Sequence, residues 1–321
     1  MAPTVVLVPG DCPESLRWVR ALVADAGGDI AWQEVAAHPL PVDAIRAARV
    51  ALVGWSKGNR DAGELPPGVQ LRQALGAYAQ LRPLRSVPGL TSRFTGIDAW
   101  IVRETTEDVY AHLEHESIPG VFESLKVTTR AACERIARHA FEFARAQGRK
   151  KVTIVHKANI LKVSDGLFLR VAREVAASYP DIQAEDVIVD ALCMKLVLHP
   201  ERFDVLLCGN LYGDIVADLG CGLVGGPNNA PATLVAPDGT HVFTSAHGDG
   251  PERAGTDAVS LLHGLLPAVH LLAHLGQTDA AARLDGALRA TLAAGTRPVS
   301  AGGTAGPAAF AAAVTERLRA G

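Results

Sequence analysis

Short unbroken apolar runs alternate along this chain with stretches in which apolar residues return every three or four positions. Residues 5–8 form the first run, stopped by Pro9-Gly10-Asp11, and residues 49–53 carry a similar one closed by Gly54. Unbroken runs of this length suit strands buried on both faces, and the 3.6-residue period suits helices with one buried stripe. From 129 to 149 the apolar residues Ala132, Ile136, Ala140 and Phe143 keep helical spacing, with Gly148 where a C-cap belongs. Further strands are expected at 152–155, 187–189 and 205–208. Helices are expected at 164–178 (Ser164 as N-cap), 192–198, about 213–219, 281–294 and 307–319. An Arg-, Gly- and Pro-rich stretch carries a helix at roughly 69–80, and the polar segment 110–126 reads as an arm or hairpin outside the main sheet. Strands alternating with helices imply an α/β fold with a largely parallel sheet.

Composition narrows the function classes. With 321 residues the chain has room for about two domains. Lys plus Arg number 31 against 34 Asp plus Glu, a net charge of −3 that argues against a nucleic-acid groove or a polybasic membrane face. The apolar stretch 258–275 is broken by His263, Gly264, Pro267, His270 and His274, so it suits a buried helix pair rather than a membrane span. No basic region precedes the first apolar run, so no secretory leader is expected. Five cysteines without a C-x-x-C pair fit reduced thiols, and a cytoplasmic protein is expected.

Polar residues follow three β-like runs directly: His156-Lys157-Ala158-Asn159, Asp190, and Gly209-Asn210. In open α/β sheets working residues sit there. Asp214 and Asp218, four apart on one helix, share a face, and Asp190 could complete an oxygen-donor set for Mg²⁺ or Mn²⁺. A solvated acidic face is the plainer alternative. Arg72, Arg82, Arg85, Arg93 and Arg103 cluster in sequence, as forks for a polycarboxylate or phosphate or as a surface ion-pair network. Gly220-x-Gly222-x-x-Gly225 matches the dinucleotide fingerprint in letters, but it follows a helix where the fingerprint needs a strand, so it is rejected as a phosphate loop. His247-Gly248-Asp249-Gly250 is a Gly-rich loop whose histidine could touch a cofactor.

In order and at family spacing, these segments resemble the isocitrate/isopropylmalate dehydrogenases, metal-dependent β-decarboxylating dehydrogenases, and most nearly the isocitrate branch. The resemblance rests on Leu71-Arg72-Gln73, Leu81-Arg82-Pro83, 102–110 (Val-Arg-Glu-Thr-Thr-Glu-Asp-Val-Tyr), 156–168, Val189-Asp190, Cys193-Met194 and 210–219. It implies two α/β domains with a double chain crossover and a cleft between them. Residues 1–90 and 230–321 would form the large, cofactor-side domain, and 91–229 the small one with the metal site and dimer interface. It further implies a homodimer in which Lys157 and Asp190 reach into the partner's active site. By the same resemblance Arg72, Arg82 and Arg103 would clamp substrate carboxylates, Asp190, Asp214 and Asp218 would hold Mg²⁺ or Mn²⁺, and Tyr110 with Lys157 would be the acid/base pair.

The chain departs from the family pattern at its outer loops. The PGDGIGPE loop is shortened to Pro9-Gly10-Asp11-Cys12-Pro13-Glu14. Pro66 and Gly68 stand where the isocitrate branch has Ser and Asn for the third carboxylate, and Trp55-Ser56-Lys57-Gly58-Asn59-Arg60-Asp61 replaces a Thr-Thr-Pro-x-Gly run. The adenosine loop keeps His247 and Gly248 but has Ser260 at the adenine-contacting position. Glu252 stands where NAD-specific members carry Asp, which favours NAD, while Arg253 beside it argues for NADP by one charge; on balance NAD is expected. Loss of the third-carboxylate contacts implies an isocitrate-like 3-substituted malate other than isocitrate, with Lys57, Arg60 and Arg93 near enough in sequence to receive a group such as a phosphonate. Two alternatives stay open: a non-redox metal-dependent lyase, decarboxylase or isomerase, and a non-catalytic paralogue.

Overall fold

The structure, a computed structural model, describes residues 2–58 and 65–320. The first stretch runs β1 (Thr4–Val8), α1 (Glu14–Asp25), β2 (Ala31–Glu34), α2 (Val42–Ala48), β3 (Val50–Val53) and α3 (Pro67–Leu75). Next come β4 (Ala79–Arg85), β5 (Asp98–Glu104), β6 (Glu114–Ile118), β7 (Val121–Ser124), α4 (Arg130–Ala146), β8 (Lys151–His156) and α5 (Ser164–Ala176). Then follow β9 (Gln183–Ile188), α6 (Val189–Leu198), β10 (Val205–Cys208), α7 (Asn210–Leu223), β11 (Pro231–Val235) and β12 (His241–Ser245). The chain closes on α8 (Leu262–His274), α9 (Thr278–Ala293) and α10 (Pro307–Ala320). The mixed α/β class read from the sequence is the class observed.

The chain forms two compact units. One comprises residues 1–75, 86–95 and 224–321, the other residues 76–85 and 96–223. In the first, the strand order is β2-β1-β3-β12-β11. Pairings among β2, β1, β3 and β12 are parallel, and β11 joins β12 antiparallel. Val5, Val6 and Leu7 are fully buried, as an apolar run in a covered parallel strand requires. The core gathers Leu7, Val19, Leu265, Leu284 and Phe310 from the sheet and four helices.

The second unit repeats the scheme with β4-β5-β10-β8-β9, where β5, β10, β8 and β9 are mutually parallel and β4 runs antiparallel to β5. Helix α4 is fixed at its start by Thr129, whose Oγ1 accepts from Ala132 N at 3.2 Å. Its stripe of Ile136, Ala140 and Phe141 is fully buried. The segment expected as an arm is a two-stranded antiparallel hairpin, β6 with β7, all of whose residues are exposed, Phe122 at 77%.

Several local expectations need correction. The helix expected at 69–80 ends at Leu75, because Gly76 turns the backbone to φ +60°, and residues 79–85 are a buried strand instead. Ser164 is the first helical residue of α5 and Val163 its N-cap, without a side-chain cap bond. The strand expected at 187–189 stops at Ile188, and Val189 already begins α6. Residues 258–275 hold one helix rather than a pair, α8, with Pro267 inside it. Among the described residues no helix is long and apolar enough to cross a membrane.

Candidate active site

Five of the expected site residues meet in the second unit. Asp214 and Asp218 lie on α7 one turn apart, Arg82 and Arg103 come from the neighbouring strands β4 and β5, and Tyr110 from the loop after β5. Arg103 is 1% exposed, and its fork is fully engaged. Nε and Nη2 donate to Asn210 Oδ1 at 3.1 and 2.7 Å, and Nη1 donates to Gln80 Oε1 at 3.2 Å and to Asp214 Oδ1. The other oxygen of Asp214 accepts from the Tyr110 hydroxyl. The Tyr110 ring also stands 5.1 Å from the Arg103 guanidinium. Arg82, likewise buried, donates to Asp218 Oδ1 at 3.2 Å and to Cys221 Sγ at 2.8 Å.

Close approach of α7 to β5 depends on Gly213, where a Cβ would fall 2.6 Å from Arg103 Cγ. Asn210 does the linking: besides accepting from Arg103 it donates to the Glu107 carbonyl at 2.9 Å, tying the start of α7 to the Tyr110 loop. Sequence reasoning placed Asn210 after a strand without a role and missed Gln80, Gly213 and Cys221. Only a helix glycine pairing with a buried arginine on another element could have found them, and that pairing is invisible before the fold.

Lys157 and Asp190 lie elsewhere in the same unit and pair with each other, Nζ to Oδ1 at 2.8 Å. The lysine holds the exposed Asp190 carboxyl below its usual pKa range. One chain therefore does not bring Asp190 to Asp214 and Asp218, and among the described residues no group of three metal-competent side chains forms. The donors that do converge, two carboxylates on one helix face, are hard oxygen ligands of the kind Mg²⁺ and Mn²⁺ take.

The remaining expected residues belong to the first unit. Arg72 lies in the last turn of α3. Gly68, at the start of that helix, faces open space: a Cβ there would meet nothing within 4 Å. Arg60 lies outside the described residues, Lys57 Nζ is 4.0 Å from Glu252 Oε2, and Arg93 stacks at 5.8 Å over its neighbour Phe94. His247, Gly248, Glu252 and Arg253 share one loop. Gly248 is pressed against Trp55, whose Cβ is 2.6 Å from where a Cβ would stand. Arg253 Nη1 is bound inward to the buried Asp249 at 2.7 Å, while Glu252 stays exposed. Asp249 also accepts from Ser260 N at 2.6 Å.

Two buried polar atoms beside it, Ser260 Oγ and His263 Nδ1, have no partner among the described residues. They leave hydrogen-bonding capacity unused beside the loop that carries His247 and Glu252, where a bound polar group could supply the missing bonds. Burial lowers the His263 pKa and raises that of Cys12 to about 12, so Cys12, in the shortened loop, is a neutral thiol.

A family model described as isocitrate/isopropylmalate dehydrogenase matches residues 16–317. The chain is 38% identical to isocitrate dehydrogenase [NAD] catalytic subunit 5, mitochondrial, of Arabidopsis thaliana, over 98% of this chain and 88% of that protein. It is 39% identical to a mitochondrial isocitrate dehydrogenase [NAD] regulatory subunit of Dictyostelium discoideum, over 98% of this chain and 90% of that one. Among solved structures, isocitrate dehydrogenase from Methylococcus capsulatus superposes with a TM-score of 0.90 at 37% identity, covering 99% of this chain and all of the other.

Proposed function

The chain belongs to the isocitrate/isopropylmalate dehydrogenase family, and we propose that it is a metal- and NAD-dependent decarboxylating dehydrogenase acting on a 3-substituted malate other than isocitrate. The observation that carries this is the convergence of Arg103 and Tyr110 on Asp214, with Arg82 on Asp218. The groups we read as acid, clamps and oxygen donors are in direct contact there. A silent scaffold has no use for that set.

Asp214 and Asp218, with Asp190 from a second subunit, would hold Mg²⁺ or Mn²⁺. When bound, the ion supplies positive charge against which negative charge on the substrate oxygens can develop. His247, Gly248, Glu252, Arg253 and Ser260 would hold NAD, which when bound would supply the hydride acceptor. The chain's own groups do the rest. Arg72, Arg82 and Arg103 orient carboxylates, and Lys157, reaching in from the second subunit as Asp190 does, takes the hydroxyl proton as hydride leaves the same carbon. The β-carboxylate then departs as CO₂, and Tyr110 returns a proton to the enol carbon.

Choice of substrate follows from α3. Gly68 offers no donor and leaves space around it, so a third carboxylate placed as in isocitrate finds no partner there. A bulkier or more highly charged substituent such as a phosphonate is the kind of group that Lys57, Arg60 and Arg93, near α3 in sequence, could receive. Homodimer formation is supported by Ile160, Val163, Met194, Val197, Leu198 and Ile215, large apolar side chains left exposed on the Lys157 loop, α6 and α7. Five free cysteines support a reducing compartment, read as the cytoplasm. A second reading is a non-catalytic subunit pairing with an active one, a kind represented among the relatives by a regulatory subunit at 39% identity, beside a catalytic one at 38%.

Calorimetric titration of NAD⁺, then NADP⁺, into the protein with Mn²⁺ present tests the reading. Saturable NAD⁺ binding is expected, and its absence up to millimolar concentration would move the case to a non-redox or regulatory role.

A further inference from the structure

The backbone of Asp108, two residues before Tyr110, stands at φ +74° and ψ −153°. Only glycine adopts this region readily, so a side chain held there is strained and persists only where its surroundings over-determine it. The carboxylate is 3% exposed and fully used. Oδ1 accepts from Val109 N at 2.9 Å, and Oδ2 accepts from Leu211 N at 3.0 Å and pairs with Lys126 Nζ at 2.9 Å. Its main chain bridges to Val127, with Asp108 N donating to the Val127 carbonyl at 2.9 Å.

The same ammonium reaches a second buried carboxylate. Lys126 Nζ is 3.4 Å from Asp165 Oδ1, and Asp165 Oδ2 accepts from the Lys157 amide at 2.7 Å. Lys126 also stands 4.9 Å from the Tyr212 ring on α7. One cation therefore neutralises two buried acids, each of which fixes a different segment of the site. Asp108 holds the Tyr110 loop to the first turn of α7, and Asp165 holds the Lys157 loop to α5.

We propose that Lys126 is a positioning residue, whose ammonium between Asp108 and Asp165 holds the Tyr110 and Lys157 loops in a single arrangement relative to α7. The kinetic part rests on the dehydrogenase reading given above; the structural part does not. Without the ammonium both buried carboxylates keep their backbone donors but lose the one counter-charge they share, and the strained Asp108 turn loses the ion pair that links it to Asp165. Both loops then loosen together. A surface ion pair would have neither consequence.

The test compares Lys126→Met, Lys126→Arg and Asp165→Ala with the unaltered full-length protein, by hydrogen–deuterium exchange and by steady-state kinetics. In Lys126→Met, peptides containing Val109 and Lys157 are expected to exchange faster together, while those of α4 stay unchanged. The turnover number should fall roughly 100-fold with KM little altered, as for a misplacement of about 1 Å. Lys126→Arg should restore both readouts in large part, and Asp165→Ala should loosen the Lys157 peptide alone. Unchanged exchange in both loops, uniform loosening that includes α4, or a change in KM without turnover would overturn the proposal. If the unaltered protein reduces no nicotinamide, the dehydrogenase reading falls, yet the exchange comparison still decides the role of Lys126.

Discussion

The Tyr110 hydroxyl donates to Asp214, a carboxylate whose second oxygen is already taken by Arg103. The hydroxyl proposed as the acid and the carboxylate proposed as a metal donor are thus in contact, and the ring is kept in place by the guanidinium it stacks on.

Tyr110→Phe keeps the ring and removes the proton. If Tyr110 protonates the enol carbon, turnover should fall by about 10²–10⁴-fold, the usual worth of a positioned acid, with KM nearly unchanged. Steady-state kinetics decide it, and a rise in KM alone would make Tyr110 a binding contact only.

Two glycines of α7 should behave oppositely. A Cβ at Gly220 would stand 2.5 Å from Leu84 Cδ2, so Gly220→Ala is expected to cost about 1–3 kcal/mol by overpacking. Gly222 has open space, and Gly222→Ala should be neutral or stabilising by up to about 1 kcal/mol. Urea unfolding measures both. Neither substitution should change NAD⁺ affinity, since both glycines lie inside a helix rather than in a phosphate loop.

What the sequence made legible were elements whose burial is written in one-dimensional periods. The stripe of α4 with Thr129 before it and Gly148 after it is readable, as is the fully apolar β1. Strand β4 was not, because Gln80, Arg82 and Arg85 break the apolar run, and Arg82 is buried only through Asp218 and Cys221, more than 130 positions away. Asp214 and Asp218 could be placed on one face by spacing alone. That Asp190 pairs with Lys157 within the chain could not, since strand β8 and helix α6 meet only in the fold. Nor does any period announce Lys126, whose two partners lie 18 and 39 positions away on opposite sides.

Cofactor choice follows from Arg253 being held by Asp249 while Glu252 stays exposed. An arginine so engaged is not free to meet a 2′-phosphate, and Glu252 would repel one while accepting from a ribose diol. NAD⁺ should bind more tightly than NADP⁺. Glu252→Gln should weaken NAD⁺ by about fivefold and narrow the gap between the two, as read by calorimetry.

His263 is buried neutral, with its pKa below the ordinary 6.5. From about pH 7.5 upward both folded and unfolded forms leave it essentially uncharged, and it has little effect on the pH dependence of stability. As pH falls below 6.5 the unfolded chain binds a proton that the folded one refuses, so stability drops until the lowered folded pKa is passed. At pH 5.5 this share is at most about 1.4 kcal/mol. The loss of unfolding free energy between pH 7.5 and 5.5 should be smaller by that amount in His263→Gln, and equal losses in the two proteins would show that the histidine titrates normally.

The most direct measurement is the absorbance of reduced nicotinamide when the protein, NAD⁺ and Mn²⁺ are given isocitrate and a panel of malates substituted at carbon 3, phosphonate included. At least one substituted malate should be oxidised with a kcat/KM roughly tenfold or more above that of isocitrate, with CO₂ released in step and activity abolished by a chelator. Isocitrate as the best substrate, at a kcat/KM on the order of 10⁵ M⁻¹s⁻¹ or above, would contradict the substrate assignment, and no nicotinamide reduction with any of them would contradict the dehydrogenase itself.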